Sequence, residues 1–116
     1  MAIKYTDIAA DLRAYVLGAA DVIPDEYSNE EITACAKKAA FELLNLKRHL
    51  LVDASGIPKG SSAVVNAMDG DKEAADLPEK YRGALMHGAL MFLFTEDQQR
   101  SSFERGLFMQ QAGIGR

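Results

Sequence analysis

The chain has 116 residues and a net charge of −4, from 17 acidic and 13 basic side chains. That length suits one domain with a modest core, and the acidic balance argues against a freestanding nucleic-acid binder, which would carry a basic patch. The single cysteine, Cys35, cannot form an internal disulfide and is compatible with a reducing compartment.

The opening stretch "MAIKYTDIAADLRAY" has no apolar signal region and no cleavage site. No apolar run reaches the ~18 residues of a membrane span. The expectation is a protein assembled in the cytosol, with no membrane partner.

Four stretches read as helix and none reads well as strand. The first covers Thr6 to Leu17, where Ile8, Leu12, Tyr15 and Val16 recur at helical spacing and Gly18 is a stop. A connection punctuated by Pro24 follows. The second helix has the clearest start: Ser28 as cap, Glu31 completing a capping box, and Tyr27 with Ile32 as a hydrophobic staple. Ile32, Cys35, Ala36, Ala39, Leu43, Leu46 and Leu50 trace one face, Lys37 and Lys38 lie opposite, and the helix is expected to reach Leu51. Lys47, Arg48 and His49 near its end complement the dipole.

Residues 53–76 then form a long stretch rich in Gly, Ser, Asp and Ala, of the kind that is functional or disordered inside a small domain. Within it, Ala63 to Met68 reads as either one helical turn or a short extended piece.

The third helix lies in "DLPEKYRGALMHGALMFLFTEDQQ", with Asp76 as cap, Glu79 as its third-position partner and Pro78 in the first turn. From Ala84 to Thr95 it carries no charged side chain and is apolar in every direction. Thr95 marks a break, because Glu96 and Asp97 suit a new first turn. The fourth helix runs to about Gln111 with Phe103, Leu107 and Phe108 as its apolar residues, and residues 112–116 are a loose tail. The expected fold is all-α: a small four-helix bundle with a long loop between the second and third helices and a flexible C-terminal tail.

No constellation points to catalysis or to a bound group. His49 and His87 lie on different helices without acids or cysteines at metal-ligand spacing, so both read as surface or packing residues. Cys35 sits on an apolar helix face, where an inert thiol is the expectation. "DGDKE", Asp69 to Glu73, lacks the ligand alternation and closing acid of a calcium loop and reads as a turn. "GIPKGSSA" lacks the phosphate-cradling glycine–lysine pattern. The basic residues of "KKAAFELLNLKRH" are interrupted by Glu42 and read as the solvated side of an amphipathic helix. No enzyme, metal or cofactor is expected.

A helix apolar all round is either central in its own bundle or shared with a partner. Under the first reading the other three helices enclose it. Under the second, Tyr81, Leu85, Ala89 and Phe92 fill the internal core, while Met86, Leu90, Met91 and Phe94, with Phe108 on the last helix, meet a neighbouring subunit. Gly83, Ala84, Gly88 and Ala89 leave its backbone open to close approach by another helix.

The arrangement resembles the tailed-bacteriophage head–tail connector (adaptor) proteins. The residues that carry the resemblance are Leu77, Pro78, Glu79, Tyr81, Ala84, Gly88, Ala89, Leu93, Asp97, Phe103 and Phe108, with the "SNEEI" entry to the second helix. It spans most of the chain but not Asp53 to Asp76. It implies a virion structural protein at the head–tail junction: a homo-oligomeric ring, a dodecamer in that family, docked between portal protein above and a tail or nozzle protein below. DNA would pass through without specific binding, which suits an acidic subunit, since phosphate contacts are what hold DNA. Head-to-tail ring contacts need two different lateral faces. The loop and tail are the pieces expected to order on docking, with Ile57, Pro58, Val64, Val65, Met68, Gln111, Ile114 and Arg116 as candidates. The alternative is a cytosolic helical binding module, or an assembly chaperone, that holds a partner through the third helix.

Overall fold

The computed structural model describes residues 2–17, 27–53 and 55–113. The chain enters as a short strand, β1 (Ile3–Lys4), and turns directly into α1 (Tyr5–Leu17), whose Ile8, Leu12 and Val16 are buried as their spacing requires. The stop expected at Gly18 lies outside the described residues.

α2 (Asn29–Leu46) starts as expected. The Ser28 hydroxyl accepts the Glu31 N–H at 3.1 Å, and the Glu31 carboxylate accepts the Ser28 N–H at 3.3 Å. Its end differs from expectation. Lys47 leaves helical geometry (φ −128°), Arg48–Leu51 tightens into a 3-10 turn, and Leu46 is left largely in water. The buried face is correspondingly rotated, running through Ile32, Ala36, Ala39, Ala40, Leu43 and Leu44, with Cys35 only half-buried.

The stretch expected to be a long loop is structured. A bridge between Val52 and Pro58 closes a small hairpin. Then come α3 (Ser61–Val65), β2 (Ala67–Asp69) and β3 (Lys72–Ala75). Ala63 to Met68 therefore takes both forms considered for it, a helical turn followed by an extended piece. "DGDK" is the β2–β3 turn: Asp69 pairs with Lys72, and Gly70 at φ +69° supplies the first central position of a two-residue II′-type turn. β3 is the middle strand of an antiparallel sheet in the order β1-β3-β2, with Ile3 opposite Ala75 and Ala67 opposite Ala74.

The four-helix bundle is thus corrected to a mainly helical fold with an added fifth short helix and a three-stranded sheet among the described residues. Val64 and Val65, two of the expected docking residues, anchor this insert in the core, and the Tyr5 hydroxyl donates to the Val65 carbonyl. Burial pushes the Tyr5 hydroxyl's pKa well above its ordinary value, and the nearby Glu73 carboxylate adds to the shift.

Asp76 does not cap the next helix. It is exposed and pairs with Lys59 at 3.5 Å. The chain instead makes a 3-10 turn at Glu79–Tyr81 and enters α4 (Arg82–Leu93) without a side-chain cap. Arg82, at the first position of α4, grips Asp11 of α1 through Nε (2.6 Å) and Nη2 (3.0 Å).

α4 is the centre of the molecule, packed on α1, α2 and α5. Every residue from Ala84 to Met91 is buried. The small residues do admit a neighbouring helix, and it is the chain's own: a Cβ on Gly88 would stand 2.5 Å from the Ala39 Cβ and 2.9 Å from the Phe108 ring. Phe94 ends α4, and Asp97 caps α5 (Gln98–Gln111) by accepting the Arg100 N–H at 3.0 Å. The Ser101 hydroxyl donates to the Met91 carbonyl at 2.9 Å, satisfying one acceptor of the last α4 turn.

Candidate interaction surfaces

The third-helix interface expected from sequence is largely inside the subunit. Leu90 and Phe108 are fully enclosed, and Met91 and Met86 are 5% and 9% exposed. A side chain already surrounded by its own chain has no surface to give a neighbour, so these four are corrected to core positions. Phe94 is the exception: it is half-buried, with the Arg100 guanidinium 4.9 Å from its ring centre.

The structure adds a polar cluster that the sequence reading did not find. Glu104 of α5 is fully buried, and its Oε1 lies 2.7 Å from Nδ1 of His87 on α4. A carboxylate in its ionised form only accepts, and against that form the imidazole would donate from Nδ1. The Tyr15 hydroxyl of α1 donates to Glu104 Oε2 at 3.2 Å, and the Tyr15 and His87 rings meet edge to face at 5.1 Å. Burial first, and then the Glu104 charge, raise the Tyr15 pKa above its ordinary value. One residue from each of α1, α4 and α5 is joined here. The carboxylate is sealed from solvent, and its chemistry is therefore positional: it fixes the rotation of α5.

That rotation moves Phe103 outward. The expected apolar face was Phe103, Leu107 and Phe108; the buried positions are Glu104, Phe108 and, beyond the helix end, Ala112, while Phe103 is 59% exposed. The available signal was the spacing of Glu104 four residues before Phe108, on one helical face.

Surface apolar side chains occur elsewhere. Ile57 is 60% exposed on the return arm of the hairpin, opposite Asp53, and Val52 and Pro58 at its closing bridge are exposed too. This hairpin is a built finger. Asp53 Oδ1 accepts the N–H groups of Ser55 (2.8 Å) and Ile57 (2.9 Å), Asp53 N–H donates to the Ile57 carbonyl, and Lys59 N–H donates to the Leu51 carbonyl. Met68 is exposed on β2, an edge strand, and Phe41 and Leu46 are exposed on α2. Gln111 is exposed near Gly83; Ile114 and Arg116 lie outside the described residues.

At the α4–α5 corner, a shallow cleft of about 420 Å³ is lined by Tyr27, Leu93, Phe94, Thr95, Glu96 and Asp97. Among the described residues there is no group of His, Cys, Asp and Glu side chains that could hold a metal ion, and no helix long and apolar enough to cross a membrane. Burial raises the Cys35 pKa, a shift opposite to that of an activated thiolate.

No protein-family model matches the chain, and no curated protein and no solved structure matches it either.

Proposed function

We propose that the protein is a structural subunit of a homo-oligomeric ring, a head–tail adaptor of a tailed bacteriophage. In this reading it docks under the portal, extends the DNA channel and offers a platform to the tail component below. The observation that carries the reading is the placement of its exposed apolar side chains. With α4 occupied as core, Ile57 on the finger and Phe103 on α5 remain in water on different parts of the subunit. A ring subunit needs two unlike faces, because a head-to-tail contact uses a different patch on each partner. The resemblance carried by Leu77, Pro78, Glu79, Tyr81 and the helices that follow supplies the class of assembly.

A partner-holding module or assembly chaperone acting through the third helix is less well supported, since that helix is enclosed by α1, α2 and α5. Mass spectrometry of purified virions separates the two: an adaptor stays in the finished particle and a chaperone does not. Sedimentation of the isolated chain, alone and with portal protein, should show assembly that depends on concentration or on portal. A chain that stays monomeric in both and is absent from virions contradicts the proposal.

A further inference from the structure

The finger and the corner cleft lie at opposite ends of one antiparallel helix pair. Tyr27, just before α2, lines the cleft with residues from the end of α4. Lys47, just after α2, holds its ammonium 5.6 Å from the ring centre of Tyr81, just before α4. The 18 residues of α2 span about 27 Å at ~1.5 Å each. From Leu51 the finger extends only about three residues, or ~10 Å. It cannot reach the cleft of its own subunit.

The two features carry complementary groups, an aliphatic side chain with a cation on one and two aromatic rings with an anion on the other. The finger presents an exposed aliphatic side chain, Ile57, on its return arm, where the Asp53 carboxylate accepts its N–H, so less conformational freedom is lost when it docks. Arg48 stands at its base, exposed and without an ion-pair partner among the described residues. The cleft offers the Tyr27 and Phe94 rings, with Glu96 exposed on its rim and likewise unpaired among the described residues. An exposed aliphatic side chain beside an unpaired cation, and a cleft with an unpaired anion on its rim that its own finger cannot reach, fit a second copy.

We infer that the finger of one copy seats in the α4–α5 corner cleft of the next, with Arg48 facing Glu96 across the contact. This rests on the ring reading above and names the surfaces that would make it. Because finger and cleft differ, the contact is head-to-tail, and each added copy presents a new finger and a new cleft.

Charge reversal tests it on the full chain by sedimentation equilibrium, with circular dichroism confirming folding. Arg48→Glu and Glu96→Arg should each weaken self-association about tenfold or more, and the double variant should return to within about threefold of the unaltered chain. In a Cys35→Ser background, oxidation of the Ile57→Cys, Thr95→Cys chain should give a ladder of covalently linked copies. If the unaltered chain assembles, the reversals leave it unchanged and no ladder forms, the docking is overturned while the ring reading stands. If the unaltered chain never associates, even with portal, the docking is overturned, and virion composition then decides the ring reading separately.

Discussion

His87 of α4 and Glu104 of α5 form a sealed pair: Nδ1 and Oε1 are 2.7 Å apart, and Glu104 has no exposed surface. Removing one member leaves the other buried without its partner. Glu104→Ala is therefore expected to destabilise the fold by about 3 kcal/mol or more. The double variant His87→Leu, Glu104→Leu removes both polar groups and should recover most of that loss. Urea unfolding of the single and double variants provides the check; equal losses in both would contradict a coupled pair.

Gly88 sits where α4 touches both α2 and α5. A Cβ there would stand 2.5 Å from Ala39, closer than side chains pack, so Gly88→Ala should push the helices apart and cost about 1–3 kcal/mol. Adding Ala39→Gly should restore part of the midpoint in a denaturant titration. An unchanged midpoint for Gly88→Ala would show that the helices are not this close.

These positions show how much the residue pattern disclosed. The capping box at Ser28 and Glu31, the break after Phe94 and the end of α5 at Gln111 were legible because local hydrogen-bonding chemistry sets them. The apolar third helix was legible as a choice between core and interface, and burial in the folded chain decides for core at Met86, Leu90 and Met91. The sheet was not legible. β3 is "KEAA", made of residues that strands generally avoid, and it forms because Ala74 and Ala75 fit between β1 and β2 against the core. Nor was the outward turn of Phe103, since burying the Glu104 carboxyl group instead is favourable only once His87 and Tyr15 are placed by other helices.

Tyr5 and Tyr15 supply a pH-dependent test. Both hydroxyls have folded-state pKa values raised above the ordinary ~10. The folded state thus holds these protons more tightly than the unfolded chain. The associated stability is fully present below pH ~10 and is lost as pH rises through the folded values. Stability should fall with rising alkaline pH, and Tyr5→Phe should flatten that slope while lowering stability at neutral pH through loss of the bond to Val65. Near-ultraviolet titration of tyrosinate should show ionisation delayed in the folded protein and normal in denaturant.

Ser28→Ala removes the hydroxyl that accepts the Glu31 N–H at the start of α2. A loss of about 1 kcal/mol is expected, with assembly unaffected at concentrations where the variant is folded. Thermal unfolding and sedimentation together check both halves of that statement.

The central claim is that assembly uses the exposed finger and not the apolar third helix. Sedimentation velocity of Ile57→Asp beside Met91→Asp, each with circular dichroism, tests it most directly. The account predicts that Ile57→Asp keeps the helical signal and fails to assemble, whereas Met91→Asp loses the fold, because an unpaired charge in this core costs several kcal/mol, about a small domain's whole stability. A folded Met91→Asp chain that cannot assemble, beside an Ile57→Asp chain that assembles normally, would contradict it.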